Sequence, residues 1–217
     1  RKGQDKGKDQ SYFLYRLTQE QLSKTIFPLG NLTKKKVRKI AKKIGLSVAE
    51  ERDSQEICFI PDNDYKKFIE KNIGNTPREG NIVDREGNVL GKHFGIHKYT
   101  IGQRKGVKTA SNDPLYVIGI DKEKNEIIVG PEELLYTNNL TAKNLNWIIP
   151  NLIKEDISLK AKIRYKTEEA ECQISRVPKD SKSEVTITFK ERQRAISPGQ
   201  SIVLYKRDLI VGGGIIE

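Results

Sequence analysis

Between residues 138 and 217 the chain offers six runs rich in β-branched or alternating residues, each separated from the next by a few turn formers. They are Leu140–Ile148, Ser158–Tyr165, Ala170–Val177, Glu184–Phe189, Ser201–Tyr205 and Leu209–Val211. A segment divided this finely has few ways to fold. Alternation is clean in VTITF and in ISLKAKIRY, so each of those runs has one face for a core and one for water. Six short strands at this spacing predict an antiparallel β-barrel or sandwich, and closure removes the exposed edges. Trp147 is expected to plug that core. Cys172 alternates with Glu171 and Gln173 and is expected to point into it. Gly212–Gly214 has no helix start after it, so a tight turn at the barrel end is expected there rather than a phosphate cradle.

Upstream the texture differs. Thr18–Lys24 predicts a short helix, with Thr18 as N-cap and Gln21 at the third position. Thr33–Ile44 is the clearest helix: Thr33 caps it, Val37, Ile40, Ala41 and Ile44 repeat on one face, and Gly45 ends it. Its other face is nearly all Lys and Arg. Asp64–Ile73 predicts another amphipathic helix, closed by Gly74. From Thr76 to about residue 132, short apolar runs (Asn81–Asp84, Asn88–Leu90, Leu115–Asp121, Glu126–Gly130) alternate with the turn signals REGN and KEKN, which predicts a small, mostly β domain. Within it Thr100–Gly106, TIGQRKG, is too basic and glycine-rich for a core and reads as a loop.

The chain carries 40 Lys+Arg against 29 Asp+Glu, a formal charge of +11. Seven of the cations fall within Lys34–Lys43. A field of this sign attracts polyanions, nucleic acid foremost. The basic elements (Lys6, Lys8, the Lys34–Lys43 face, Arg104–Lys105, Arg164–Lys166) are spread along the whole chain, which suits a folded RNA better than a nucleotide. A solvated charged surface explains the same composition. No apolar run reaches the ~20 residues of a membrane span. No signal peptide is visible, the chain contains no methionine, and we read it as a piece of a longer protein. Two cysteines far apart supply no disulfide framework, so a cytoplasmic setting is expected. His93 and His97 stand four apart, but Gly95 disfavours a helix between them and no third ligand is near; no metal is expected.

Cys58 sits in Asp53–Ile60, DSQEICFI, where the apolar pattern breaks. The spacing leaves two readings open: a reactive thiol on a polar loop, or a small hydrophobe docked by Ile57, Phe59 and Ile60.

The motifs taken together resemble the bacterial tRNA-specific 2-thiouridylases. GKDQSYFL (Gly7–Leu14), FPLGNLTKKKVRKIA (Phe27–Ala41), DSQEICFI, YTIGQRKG (Tyr99–Gly106), SPGQ (Ser197–Gln200) and the terminal GGGIIE carry the resemblance across nearly the whole chain. It implies an α+β, multidomain protein. Residues 1–74 would be the C-terminal remnant of an α/β PP-loop ATP-pyrophosphatase domain, 75–132 a small central domain and 133–217 a tRNA-binding antiparallel β-barrel. It further implies that ATP adenylates the C2 oxygen of the wobble uridine. Cys58 would carry a persulfide received from a cysteine desulfurase or sulfur-relay protein, and an upstream cysteine, absent here, would help release the sulfur and could form a disulfide with it. Family tRNA contacts map onto Lys8, Asp9, Gln10, Arg164, Tyr165 and Gln200. The family's pyrophosphate loop is not in this sequence, so ATP would be bound elsewhere and this piece alone would not thiolate tRNA. The competing expectations are a non-enzymatic RNA-binding barrel with a structural cysteine and, more remotely, a thiol-redox sensor.

Overall fold

The computed structural model describes residues 1–51, 60, 64–72, 78–107, 113–153, 157–176 and 184–217. By packing, these residues fall into two compact units. The first joins residues 1–51 to 138–192 and 197–217; the second comprises 52–137 with 193–196.

The first unit is built on a closed six-stranded barrel. Its strands are β5 (Tyr136–Trp147), β6 (Leu159–Lys162), β7 (Ala170–Arg176), β8 (Val185–Arg194), β9 (Ser201–Lys206) and β10 (Leu209–Ile216), closed in the order β10-β5-β8-β7-β6-β9. The alternation of VTITF is realised: Val185, Ile187 and Phe189 are buried and the two threonines between them are half-buried. Cys172 lies opposite Leu159 on β6 and Phe189 on β8, inside the barrel, and burial pushes its thiol up to about 12.

Strand β9 breaks the alternation, because Ile202, Val203, Leu204 and Tyr205 are all buried. A strand apolar on both sides must be covered on both sides. The cover comes from the N-terminal segment. Tyr12, in the single-turn helix α1 (Ser11–Leu14), and Tyr15 cluster with Val203, Tyr205 and Ile210. Their hydroxyls reach the same strand: Tyr12 donates to the Ser201 carbonyl at 2.7 Å, and Tyr15 meets the Ser201 hydroxyl at 2.9 Å. Asn146 on β5 donates to the carbonyls of Tyr15 and Leu17.

The three glycines thought to make a turn instead lie within β10, which continues past Val211 to Ile216. The reason is steric. A Cβ on Gly213 would stand 2.4 Å from the Ile202 carbonyl oxygen and 2.7 Å from the Tyr15 ring. One on Gly212 would meet the Asn146 carbonyl and Trp147, and one on Gly214 the Leu145 side chain. Glycine is what lets Tyr15 pack directly against β10. Trp147, expected as a core plug, is half-buried and rests across Gly212.

Two further helices belong to this unit. Helix α2 (Gln19–Ser23) has the capping box read from Thr18 and Gln21. Helix α3 (Lys34–Lys43) starts at the Thr33 side chain, which accepts from the Lys36 N–H, and Gly45 follows it at φ 74°. Its apolar stripe is not a core: Ile40 and Ile44 are exposed and Val37 and Ala41 only half-buried. Capping and good helix formers therefore hold this helix more than burial does.

The second unit holds helix α4 (Tyr65–Asn72) and a four-stranded sheet of order β2-β1-β4-β3, from β1 (Glu79–Val83), β2 (Val89–Phe94), β3 (Tyr116–Asp121) and β4 (Glu126–Gly130). REGN and KEKN make the two hairpin connections, and the central β1–β4 pair is parallel. Ile82, Val117, Ile127 and Val129 form the core. Buried His93 accepts from the Gly95 N–H through Nδ1, so its proton sits on Nε2, which donates to the Asn125 carbonyl at 3.0 Å. Thr100–Gly106 is the expected loop, pinned by Gly102 N–H to Val117 O and Val117 N–H to Gln103 O.

Candidate nucleic-acid interface

Lys8, Asp9 and Gln10 lie on the turn leading into α1. Asp9 organises that turn. Its Oδ1 accepts from the Gly3 and Ser11 N–H groups at 2.9 and 3.1 Å, and its Oδ2 from the Ser11 hydroxyl at 2.8 Å. With both carboxylate oxygens engaged, Lys8 and Gln10 are held at the surface on either side, both exposed.

Arg164 and Tyr165 follow β6, more than 150 positions later, yet they reach the same place. Tyr165 packs on the Tyr12–Tyr205 cluster, its ring 4.8 Å from Phe13 and 6.2 Å from Tyr12. Arg164 donates from Nη2 to the Ser197 hydroxyl at 2.9 Å. Ser197 opens the SPGQ turn, in which Gln200 N–H bonds the Ser197 carbonyl and Gly199 takes φ 84°. The side chain of Gln200 is exposed, next to Ser201, the residue that Tyr12 and Tyr15 both hold.

Three segments distant in sequence are thus tied together by direct contacts on one side of the barrel. The grouping presents cations (Lys8, Arg164), polar amides (Gln10, Gln200) and a cluster of three aromatic rings, with Phe13 edge-on to Tyr12 and tilted against Tyr165. Burial, and next the neighbouring Tyr15, push the Tyr12 hydroxyl up to about 12, against the pull of the Arg164 charge. Hydrogen-bonding cations beside an exposed aromatic ring such as Phe13 can hold phosphates and stack an unpaired base. Phe13 was not singled out from sequence, although it is 54% exposed at the edge of that cluster. The only signal for it is its place directly after Lys8–Tyr12.

Comparison with known proteins bears on this grouping. Residues 1–62 match a family model described as a tRNA methyl transferase HUP domain, 66–131 its PRC-barrel domain, and 137–216 an aminomethyltransferase beta-barrel domain. The tRNA-specific 2-thiouridylase MnmA 1 of Caldanaerobacter subterraneus subsp. tengcongensis is 53% identical over 217 residues, all of this chain and 59% of that protein. The MnmA proteins of Halothermothrix orenii and Geotalea uraniireducens are 46% and 50% identical, again over 100% of this chain and 60% and 56% of their own lengths. The chain belongs to the tRNA-specific 2-thiouridylase family.

It spans about 60% of the length of the curated thiouridylase relatives it matches. Cys58, the thiol that a thiouridylase reading needs most, lies outside the described residues, as do its neighbours from Arg52 to Phe59. The glycine run Gly212–Gly214 is no open phosphate cradle, because Tyr15, Trp147 and Leu145 fill the space beside it. No group of three or more His, Cys, Asp or Glu that could hold a metal occurs among the described residues. No helix among them is long and apolar enough to cross a membrane.

Proposed function

We propose that this chain is the RNA-binding and sulfur-carrying part of a tRNA 2-thiouridylase, an ATP-dependent sulfurtransferase acting on the wobble uridine. In this reading residues 133–217 with the Lys8–Gln10 turn hold the tRNA, 75–132 is the central domain, and 1–74 continues a PP-loop domain. Cys58 carries sulfur as a persulfide, supplied by a cysteine desulfurase or a relay protein; its outer sulfur attacks the adenylated C2 of the base, AMP leaves with the C2 oxygen, and the upstream cysteine breaks the Cys58–sulfur bond by forming a disulfide with Cys58. ATP is bound mainly by residues outside this chain. The setting is the cytoplasm, where thiols stay reduced.

The observation that carries the reading is the meeting of Lys8–Gln10, Arg164–Tyr165 and Gln200 on one side of the barrel. Within it, Lys8, Gln10, Arg164, Tyr165 and Gln200 touch the RNA, while Asp9 positions the turn. A free carboxylate facing phosphate would repel it, and this one is consumed by three hydrogen bonds. The matched family descriptions speak of methyl and aminomethyl transfer and the relatives' names of thiolation. The thiouridylase relatives, 46–53% identical over the whole chain, favour sulfur, and the cysteine in DSQEICFI supplies a thiol able to carry it.

Cys58→Ser tests the assignment. In the protein carrying its ATP-binding region, the variant abolishes 2-thiouridine formation, read by mass spectrometry of digested tRNA, and leaves tRNA affinity within about twofold. Thiolation that survives the substitution would instead show that Cys58 is structural and that this part of the protein contributes RNA binding alone.

A further inference from the structure

A second basic feature of the first unit is not used by the interface above. A groove of about 780 Å³, far more than one phosphate fills, runs along the barrel between the N-terminal residues Lys2–Lys6, the start of β6 and the β9–β10 hairpin. Its lining includes Lys2, Lys6, Lys160, Lys206 and Arg207. The carboxylates lining it are already paired: Glu169 with Lys2 at 2.5 Å, Glu171 with Lys190 at 3.3 Å, and Asp208 with Arg1 at 3.7 Å. Glu171 faces Lys160 in the β6–β7 register but gives its ion pair to Lys190. Among the described residues, no ion pair takes up Lys6, Lys160, Lys206 or Arg207.

The hairpin adds an independent observation. Lys206 pairs with Leu209, so the loop has two residues, Arg207 and Asp208. Arg207 stands first, at φ 59°. Tight hairpin loops put positive φ at that position and favour glycine, asparagine or aspartate there. An arginine strains the backbone for no gain in turn formation. The strained turn is clamped: Lys2 donates its backbone N–H to the Asp208 carbonyl and its Nζ to the Arg207 carbonyl, both at 2.8 Å, with Nζ 4.4 Å above the Tyr205 ring. Such fixing at one end leaves the exposed guanidinium as the group the turn presents.

We propose that this groove binds the sugar–phosphate backbone of the RNA, through Arg207, Lys206, Lys160 and Lys6, without reading sequence. The inference rests on the tRNA-binding reading and extends it, because Gly3, bonded to Asp9, joins the groove to the Lys8–Gln10 turn. Spaced cations with no carboxylate partner are what a phosphodiester chain requires, and each phosphate neutralised releases counterions.

The test is fluorescence anisotropy of an unmodified tRNA transcript with the 217-residue chain at several salt concentrations. Arg207→Gly relieves the strain and removes the charge, so its thermal midpoint is unchanged or higher. Its Kd rises roughly three- to tenfold, and the slope of log Kd against log salt falls by about one. Lys160→Ala/Lys206→Ala, on strand positions that tolerate alanine, lowers the slope by up to about two. If Arg207→Gly loses stability together with affinity, the lysine pair decides: a lower slope at an unchanged thermal midpoint supports the groove, and a retained slope overturns it. Wild-type affinity and slope in both variants, while Arg164→Ala still weakens binding, overturn the groove and leave the primary interface standing. Absence of salt-dependent tRNA binding in the unsubstituted chain overturns both.

Discussion

Three buried hydroxyl and thiol groups make the first unit sensitive to alkaline pH. Tyr12 and Tyr205 are pushed up to about 12 from 10.0, and Cys172 to about 12 from 9.0, in each case mainly by burial. All three are neutral when protonated. Their folded-state values lie above those of the open chain, so the stability they contribute is complete below about pH 9 and is lost as pH rises towards 12. Thermal midpoints measured from pH 8 to 12 therefore fall steadily above pH 9, and Cys172→Val flattens the first part of that fall. A profile flat to pH 12 contradicts the burial of these groups. Tyr12 and Tyr205 matter doubly, because they join the N-terminal turn to β9.

At the scale of elements, the glycines separate two demands. Gly213 is there because backbone and ring atoms leave no room for a Cβ, and Gly45 because φ is 74° with open space around it. Gly213→Ala costs roughly 3 kcal/mol, an overpacking against the Ile202 carbonyl that cannot swing aside. Gly45→Ala costs about 1 kcal/mol, the price of a left-handed alanine. Urea midpoints of the two variants give the comparison, and equal losses would show that β10 tolerates a side chain. What could be read beforehand follows the same division. Local signals were legible: the Thr18–Gln21 box, the Thr33 cap, Gly45, the two hairpin turns and the alternation of β8. Long-range features were not. Nothing local announces that β1 and β4 run parallel, that β9 is covered on both sides, or that three glycines continue a strand beneath Tyr15. The exposed stripe of α3 shows the converse, a periodicity that predicts a helix without predicting that it is buried.

For the whole molecule, the N-terminal residues and the C-terminal barrel form one packed unit, although the family models divide them into separate domains. The candidate interface exists only because of that packing. Motif resemblance pointed to Lys8, Arg164 and Gln200 individually, whereas their meeting through Phe13, Tyr12 and Ser197 could come only from the folded chain.

One measurement addresses that shared surface directly: the tRNA affinity of the 217-residue chain across a salt series, with and without Lys8→Ala and Arg164→Ala. Affinity falls linearly on logarithmic axes, and each substitution weakens it roughly three- to tenfold with a shallower slope. Binding that ignores salt, or that is untouched by both substitutions, contradicts the claim that the N-terminal turn and the barrel hold one RNA together.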